Sequence, residues 1–139
     1  MNIDELFLLG LRLQKIAEAA IPTEGIGEHA TSTRSVLVVT ADIKDHPGTT
    51  VTQVARRTGM AQSQVSDAVA RLRTAGAVIV EPDPADGRRS LLRPNPEASG
   101  RVAAVRDTSI APALAATTTD ADAAMALLED LKSLLKPVD

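Results

Sequence analysis

The spacing of apolar residues leaves the helical period over one short mid-chain stretch, and that interruption limits the fold to helices around a single small hairpin. Up to Gly76 apolar residues recur every three or four positions, the mark of helices that bury one face. Val78-Ile79-Val80 and Ser90-Leu91-Leu92 then form two short runs suited to strands, separated by Pro82-Asp83-Pro84-Ala85-Asp86-Gly87, a stretch dense in turn formers. Pro94 and Pro96 punctuate the exit, after which helical spacing returns. No internal repeat is visible.

On either side of the hairpin the helices can be placed by their caps. Ile3, Leu6, Phe7, Leu9, Leu13, Ile16 and Ala20 predict a helix over 3–20, with Leu8 and Leu11 widening its apolar surface beyond one stripe. Pro22, Gly25 and Gly27 mark a loop, and a second helix is expected from about Thr31–Thr33 to just before His46-Pro47-Gly48, carrying Val36, Leu37, Val39 and Ile43. Thr50-Val51-Thr52-Gln53 has the pattern of a capping box and opens a short helix to about Thr58. Gly59 tolerates the positive φ at which a helix can end and the chain turn. The next helix, about 62–75, places Val65, Ala68, Val69 and Leu72 on one face and ends at Gly76. Beyond the hairpin a helix is expected over about 97–111, broken at Pro112. Asp120 then caps a last helix that carries Met125, Leu127, Leu128, Leu131, Leu134 and Leu135.

Composition narrows the function. Apolar residues make up 44% of the 139, yet Phe7 is the one aromatic, so the core must be Leu, Val, Ile and Ala. The absence of cysteine excludes a disulfide scaffold, a thiolate zinc site and a cysteine nucleophile. His29 and His46 sit in polar surroundings and read as surface residues; no ligand spacing suggests a metal, and no cofactor is expected. A nucleophile elbow and a glycine-rich phosphate loop are both missing, which argues against an enzyme. No apolar stretch approaches the ~20 residues that cross a bilayer, and no signal peptide is visible, so the expectation is a soluble cytoplasmic protein without membrane contact.

The formal net charge of −3 conceals an asymmetry. Between Val51 and Arg106 stand nine basic residues, all Arg (56, 57, 71, 73, 88, 89, 93, 101 and 106), against five acids, Asp67, Glu81, Asp83, Asp86 and Glu97. That segment is +4 and the remainder −7. A basic middle between acidic ends suits a polyanion-binding module on a non-binding scaffold. Arg without Lys favours forked contacts to phosphates or base edges.

Short helix, glycine turn, second helix and basic-tipped hairpin are together what reading duplex DNA would require. The first helix braces the second, whose diameter fits the major groove. On that second helix the face opposite Val65, Val69 and Leu72 bears Ser63, Ser66, Asp67, Ala70, Arg71 and Thr74, with Gln62 and Gln64 flanking the first turn. Gln can bond adenine bidentately, Ser bonds several partners, and Arg71 can take phosphate or guanine. The hairpin loop, ending in Arg88-Arg89, can reach an adjacent minor groove, where Arg is drawn by focused negative potential. Such a polar face, taken alone, is more often simply a solvated one.

The run from about Thr50 to Gly100 resembles the winged helix-turn-helix of the MarR family of bacterial transcription regulators. The most specific stretch is Asp83-Pro84-Ala85-Asp86-Gly87-Arg88-Arg89-Ser90-Leu91-Leu92, similar to the family's wing with its Asp-x-Arg element before the returning strand. Val51-Thr52-Gln53-Val54-Ala55, Gly59, Val65-Ser66, Arg71-Leu72 and Gly76 stand at the family's spacing. The motif covers a little over a third of the chain. The resemblance implies a mainly α fold with a small β-hairpin wing: a single domain, 1–139, with a DNA-binding lobe over 31–96 and dimerisation helices over 1–22 and 97–139. It implies a homodimer on a near-palindromic operator of double-stranded DNA, acting as a repressor. Arg88 matches the wing arginine that enters the minor groove, with Asp86 holding it and Arg89 as a second candidate; Thr52 joins the DNA-contacting set. It further implies a small anionic or phenolic effector, bound between the dimer base and the DNA lobe, that releases DNA. Leu13, Ile16, Val36 and Val39 would either line such a cavity or simply pack in a core.

Two positions depart from the family pattern. Asp67 stands where the family often has Arg, a charge that repels phosphate but can accept from a cytosine amino group. Ala61 stands where a Ser cap is usual, at a cost of roughly 1 kcal/mol of helix start. Both imply weaker or more selective DNA binding. The net acidity and Asp67 leave open an alternative, a winged-helix module that contacts protein and not DNA. The wing carries no apolar wedge, so it is not expected to kink DNA sharply.

Overall fold

The computed structural model describes residues 1–22, 30–98 and 100–136. In chain order the elements are α1 (Ile3–Ala20), α2 (Ala30–Asp45), α3 (Val51–Thr58), α4 (Gln62–Thr74), β1 (Val78–Pro82), β2 (Ser90–Pro94), α5 (Gly100–Arg106), α6 (Ala111–Ala115) and α7 (Ala121–Leu134). They form two compact units, one made of 1–25 with 107–138 and the other of 26–106. Among the described residues no helix is long and apolar enough to cross a membrane.

The second unit is a winged helix-turn-helix. Val39 and Ile43 of α2, Val54 of α3, Val65 of α4 and Leu92 of β2 are fully buried, and Ala68, Val69, Leu72, Ala77 and Val78 complete the cluster. Three of the β-branched residues that weaken α2 by propensity, Val36, Val39 and Ile43, are the ones that face this core. Burial of one stripe outweighs their intrinsic reluctance to be helical. α3 opens as its sequence requires: Thr50 Oγ1 accepts from the Gln53 amide at 3.3 Å, and Gln53 Oε1 accepts from the Thr50 amide at 3.0 Å. It closes at Gly59, φ +72°, where a side chain would be strained.

β1 and β2 pair antiparallel from Val78 opposite Pro94 to Pro82 opposite Ser90. β2 is also tied to the entrance of α3, because the Leu92 amide donates to Thr49 O at 2.7 Å and the Gly48 amide to Leu92 O at 2.8 Å. The hairpin is therefore fixed to the helix-turn-helix from both sides.

The helix expected over 97–111 is shorter, Gly100–Arg106. Asn95 explains the late start: its amide donates to Ala77 O, its Nδ2 to Gly76 O, and its Oδ1 accepts from the Glu97 amide. These bonds pin the strand exit to the end of α4 in a turn that a helix cannot occupy. At the other end Ser109 Oγ accepts from the Ala111 amide and opens α6, with Pro112 in its first turn. α5 belongs to the winged unit, where Val102 packs against the core.

In the other unit α6 packs against α1 and α7, and Leu114 of α6 is buried. α1 starts with a reciprocal capping box between Asn2 and Glu5. α7 starts with Asp120 Oδ1 accepting from the Ala123 amide at 3.1 Å. Neither long helix contains a buried residue; Phe7 and Leu127 are 71% and 69% exposed.

Candidate nucleic-acid interface

α4 buries Val65, Ala68, Val69 and Leu72 and leaves Ser63, Ser66, Asp67, Ala70, Arg71 and Thr74 exposed. The polar face expected from sequence is thus a real outer face of the winged unit. Its first turn is held in two ways. Gln62 Nε2 donates to Thr52 Oγ1 at 2.8 Å, which ties two of the candidate DNA contacts to each other and α4 to α3. Gln64, taken from sequence as a base reader, is turned back on the helix: its Oε1 accepts from the Ala61 amide at 3.2 Å. Ala61 offers no side-chain cap, so the bond from Gln64 secures the start of the helix.

The wing is built on Asp83. Beyond the last strand pair its amide donates to Arg89 O at 2.9 Å, its Oδ1 accepts from the Ala85 amide at 2.9 Å, and its Oδ2 accepts from Arg89 Nη2 at 2.9 Å. These donors, the Ala85 amide first and then Arg89, hold the Asp83 carboxyl below the usual carboxylate range. Asp86 holds Arg88 by its backbone: Asp86 Oδ1 accepts from the Arg88 amide at 3.1 Å. Two residues apart in a turn, an Asp carboxylate reaches the backbone more readily than a long side chain. The ion pair of the loop is Asp83 with Arg89, whose side chain is still 56% exposed. The Arg88 guanidinium is exposed and has no hydrogen bond or ion pair to any described residue.

Between the wing and the start of α3 lies a groove of about 570 Å³, lined by Thr50, Val51, Thr52, Gln53, Arg56, Arg88, Arg89 and Ser90. Three arginines and three hydroxyls line it, and no acid. Arg56 is the functional candidate that sequence reasoning passed over, counting it only toward the net charge. The signal was its place one turn along α3 from Thr52. A groove so lined can seat an oxyanion such as a backbone phosphate.

Of the four residues that would either line an effector cavity or pack in a core, Leu13 and Ile16 line a groove of about 410 Å³ in the first unit, with Ala17, Ile110, Met125 and Leu128 and a polar edge that includes Glu129 and Lys132. Val39 lies in the winged core and Val36 packs against it. His46 Nδ1 lies 3.8 Å from Asp42 Oδ1, while His29 falls outside the described residues. No group of three metal-ligating side chains comes together among the described residues.

Residues 43–89 match a family model described as the MarR family. The fold is that of solved transcription regulators. A probable transcriptional regulator from Pseudomonas aeruginosa is 24% identical, with 90% of this chain and 94% of that one covered and a TM-score of 0.58. BpsR of Bordetella bronchiseptica, whose DNA binding is regulated by 6-hydroxynicotinic acid, is 21% identical over 95% and 93%, with a TM-score of 0.56. A mutant of MarR from E. coli complexed with operator DNA is 18% identical over 96% and 95%, with a TM-score of 0.57. No curated protein matches the chain in sequence.

Proposed function

We propose that this chain, a MarR-family winged-helix protein, is a sequence-specific DNA-binding transcriptional regulator that works as a homodimer. The observation that carries this reading is the arginine groove, whose lining residue Thr52 is hydrogen-bonded to Gln62 at the start of α4, the helix with the exposed polar face. In this reading α4 enters the major groove, Arg88 reaches the neighbouring minor groove, and Arg56 with Thr52 seats a backbone phosphate. The exposed leucines of α1 and α7 are covered by a second copy, so that two winged lobes meet an inverted repeat whose half-site centres lie about 10 bp apart. Repression by occupying that operator, and release by a small molecule, are the finer part of the proposal. Their support is the apolar groove around Leu13 and Ile16 and the ligand-regulated BpsR. The site of action is the cytoplasm.

The test is selection of bound duplexes from genomic fragments at low salt, followed by binding measured against salt. A symmetric motif is expected, with log affinity falling linearly as log salt rises. A chain that enriches no sequence would instead be the protein-contacting winged-helix module.

A further inference from the structure

We propose that Asp67 is a specificity residue that selects cytosine at one fixed position of each half-site; the inference rests on the DNA-binding reading above. Asp67 is the sixth residue of α4 and projects from its exposed face, one turn beyond Ser63 and one turn before Arg71. Its carboxylate has no hydrogen bond or ion pair to any described residue, Arg71 included, so it does nothing to hold the winged unit together. It also lies past the first turn, where an acid would favour the helix dipole. Around it the exposed face of α4 carries Gln62, Ser63, Ser66 and Ala70, with no positive charge before Arg71. Against the phosphates such a carboxylate is repelled.

A carboxylate only accepts hydrogen bonds, and the major groove offers two donors, the amino groups of cytosine and adenine. The adenine amine stands beside N7, whose lone pair opposes a carboxylate; the cytosine amine stands beside a C–H. Cytosine is the base that Asp67 can face without a clash of acceptors.

The experiment is duplex selection from a random library with the wild-type chain, Asp67→Asn and Asp67→Ala. Wild type is expected to enrich one invariant cytosine per half-site. Replacing it by thymine should weaken wild-type binding about 5- to 150-fold, the usual loss for one mismatched pair. Asp67→Asn, the same size but able to donate as well as accept, should move that position from cytosine to adenine. Asp67→Ala should flatten that position alone and bind non-cognate duplex more tightly than wild type does. A wild-type motif without the invariant cytosine, or one unchanged in both variants, overturns the inference and leaves the DNA-binding reading standing. No motif for any of the three proteins overturns both. Equal thermal midpoints for the three chains are expected, since the side chain is exposed and unbonded.

Discussion

Arg57 crosses from α3 to α2 and grips the Asp42 carboxylate with two nitrogens, Nε at 3.0 Å from Oδ1 and Nη2 at 2.7 Å from Oδ2. Both side chains are over nine-tenths hidden from solvent, at 9% and 7% exposure. The same Nη2 donates to Thr49 Oγ1, which in turn donates to Gln53 Oε1 at 3.0 Å. One chain of bonds thus joins α2, the residue that pairs with β2, and the capping box of α3. It fixes the platform from which α4 and the wing project.

Removing one partner of such a pair leaves a buried charge uncompensated. Arg57→Met is expected to cost about 3–5 kcal/mol of folding stability, read as a lower urea midpoint. Asp42→Leu combined with Arg57→Met should recover most of that loss, because no charge remains buried. A single substitution that shifts the midpoint by less than about 1 kcal/mol would show that the pair is not stabilising the lobe.

The arginines of the wing groove should separate by role. Arg88→Ala is expected to weaken operator binding by roughly 1–3 kcal/mol, since its guanidinium is free to enter the minor groove. Arg56→Ala should weaken all duplexes alike and lower the log–log salt slope by about 0.9, the signature of one lost phosphate contact. Arg89→Ala carries a second cost, the loss of the Asp83 partner, and should lower wing stability as well as affinity. Titrations of cognate and random duplex at several salt concentrations distinguish the three.

Much of this was legible in the chain. The caps at Thr50 and Asp120, the glycine turn at Gly59 and the hairpin follow from short-range rules, and the helices they bound are where those rules place them. What sequence missed depends on strand register and on distant partners. Pairing Pro82 with Ser90 brings Asp83 opposite Arg89, and an ion pair forms there that short-range rules do not show. Asn95 shortens α5 by bonding to Gly76, far away in sequence, and Arg56 becomes a groove residue only once the wing folds beside α3.

The Asp83 carboxyl gives the wing a pH dependence of definite sign. Its folded pKa lies below the ordinary aspartate value of about 3.9. Its contribution is therefore complete above that value and is lost as pH falls through the depressed folded pKa. Asp83→Asn should lower the thermal midpoint at neutral pH, and the gap from wild type should close as pH drops below about 3.9. A gap that stayed constant down to strong acid would mean the ion pair with Arg89 contributes nothing.

In the proposed dimer a second copy covers α1 and α7. α1 exposes Phe7, Leu8 and Leu11, and α7 with its C-terminal cap exposes Leu127, Leu134 and Leu135. Burying one such side chain contributes about 1.5–3 kcal/mol. Leu127→Glu, which puts a charge in the same place, is expected to raise the dimer dissociation constant by tenfold or more, read by sedimentation at several concentrations. Operator affinity should fall with it, because a single winged lobe meets only one half-site. The winged unit has its own core in Val39, Ile43, Val54, Val65 and Leu92, so its urea midpoint should stay unchanged. A Leu127→Glu chain that still sediments as a tight dimer would place the contact on some other surface.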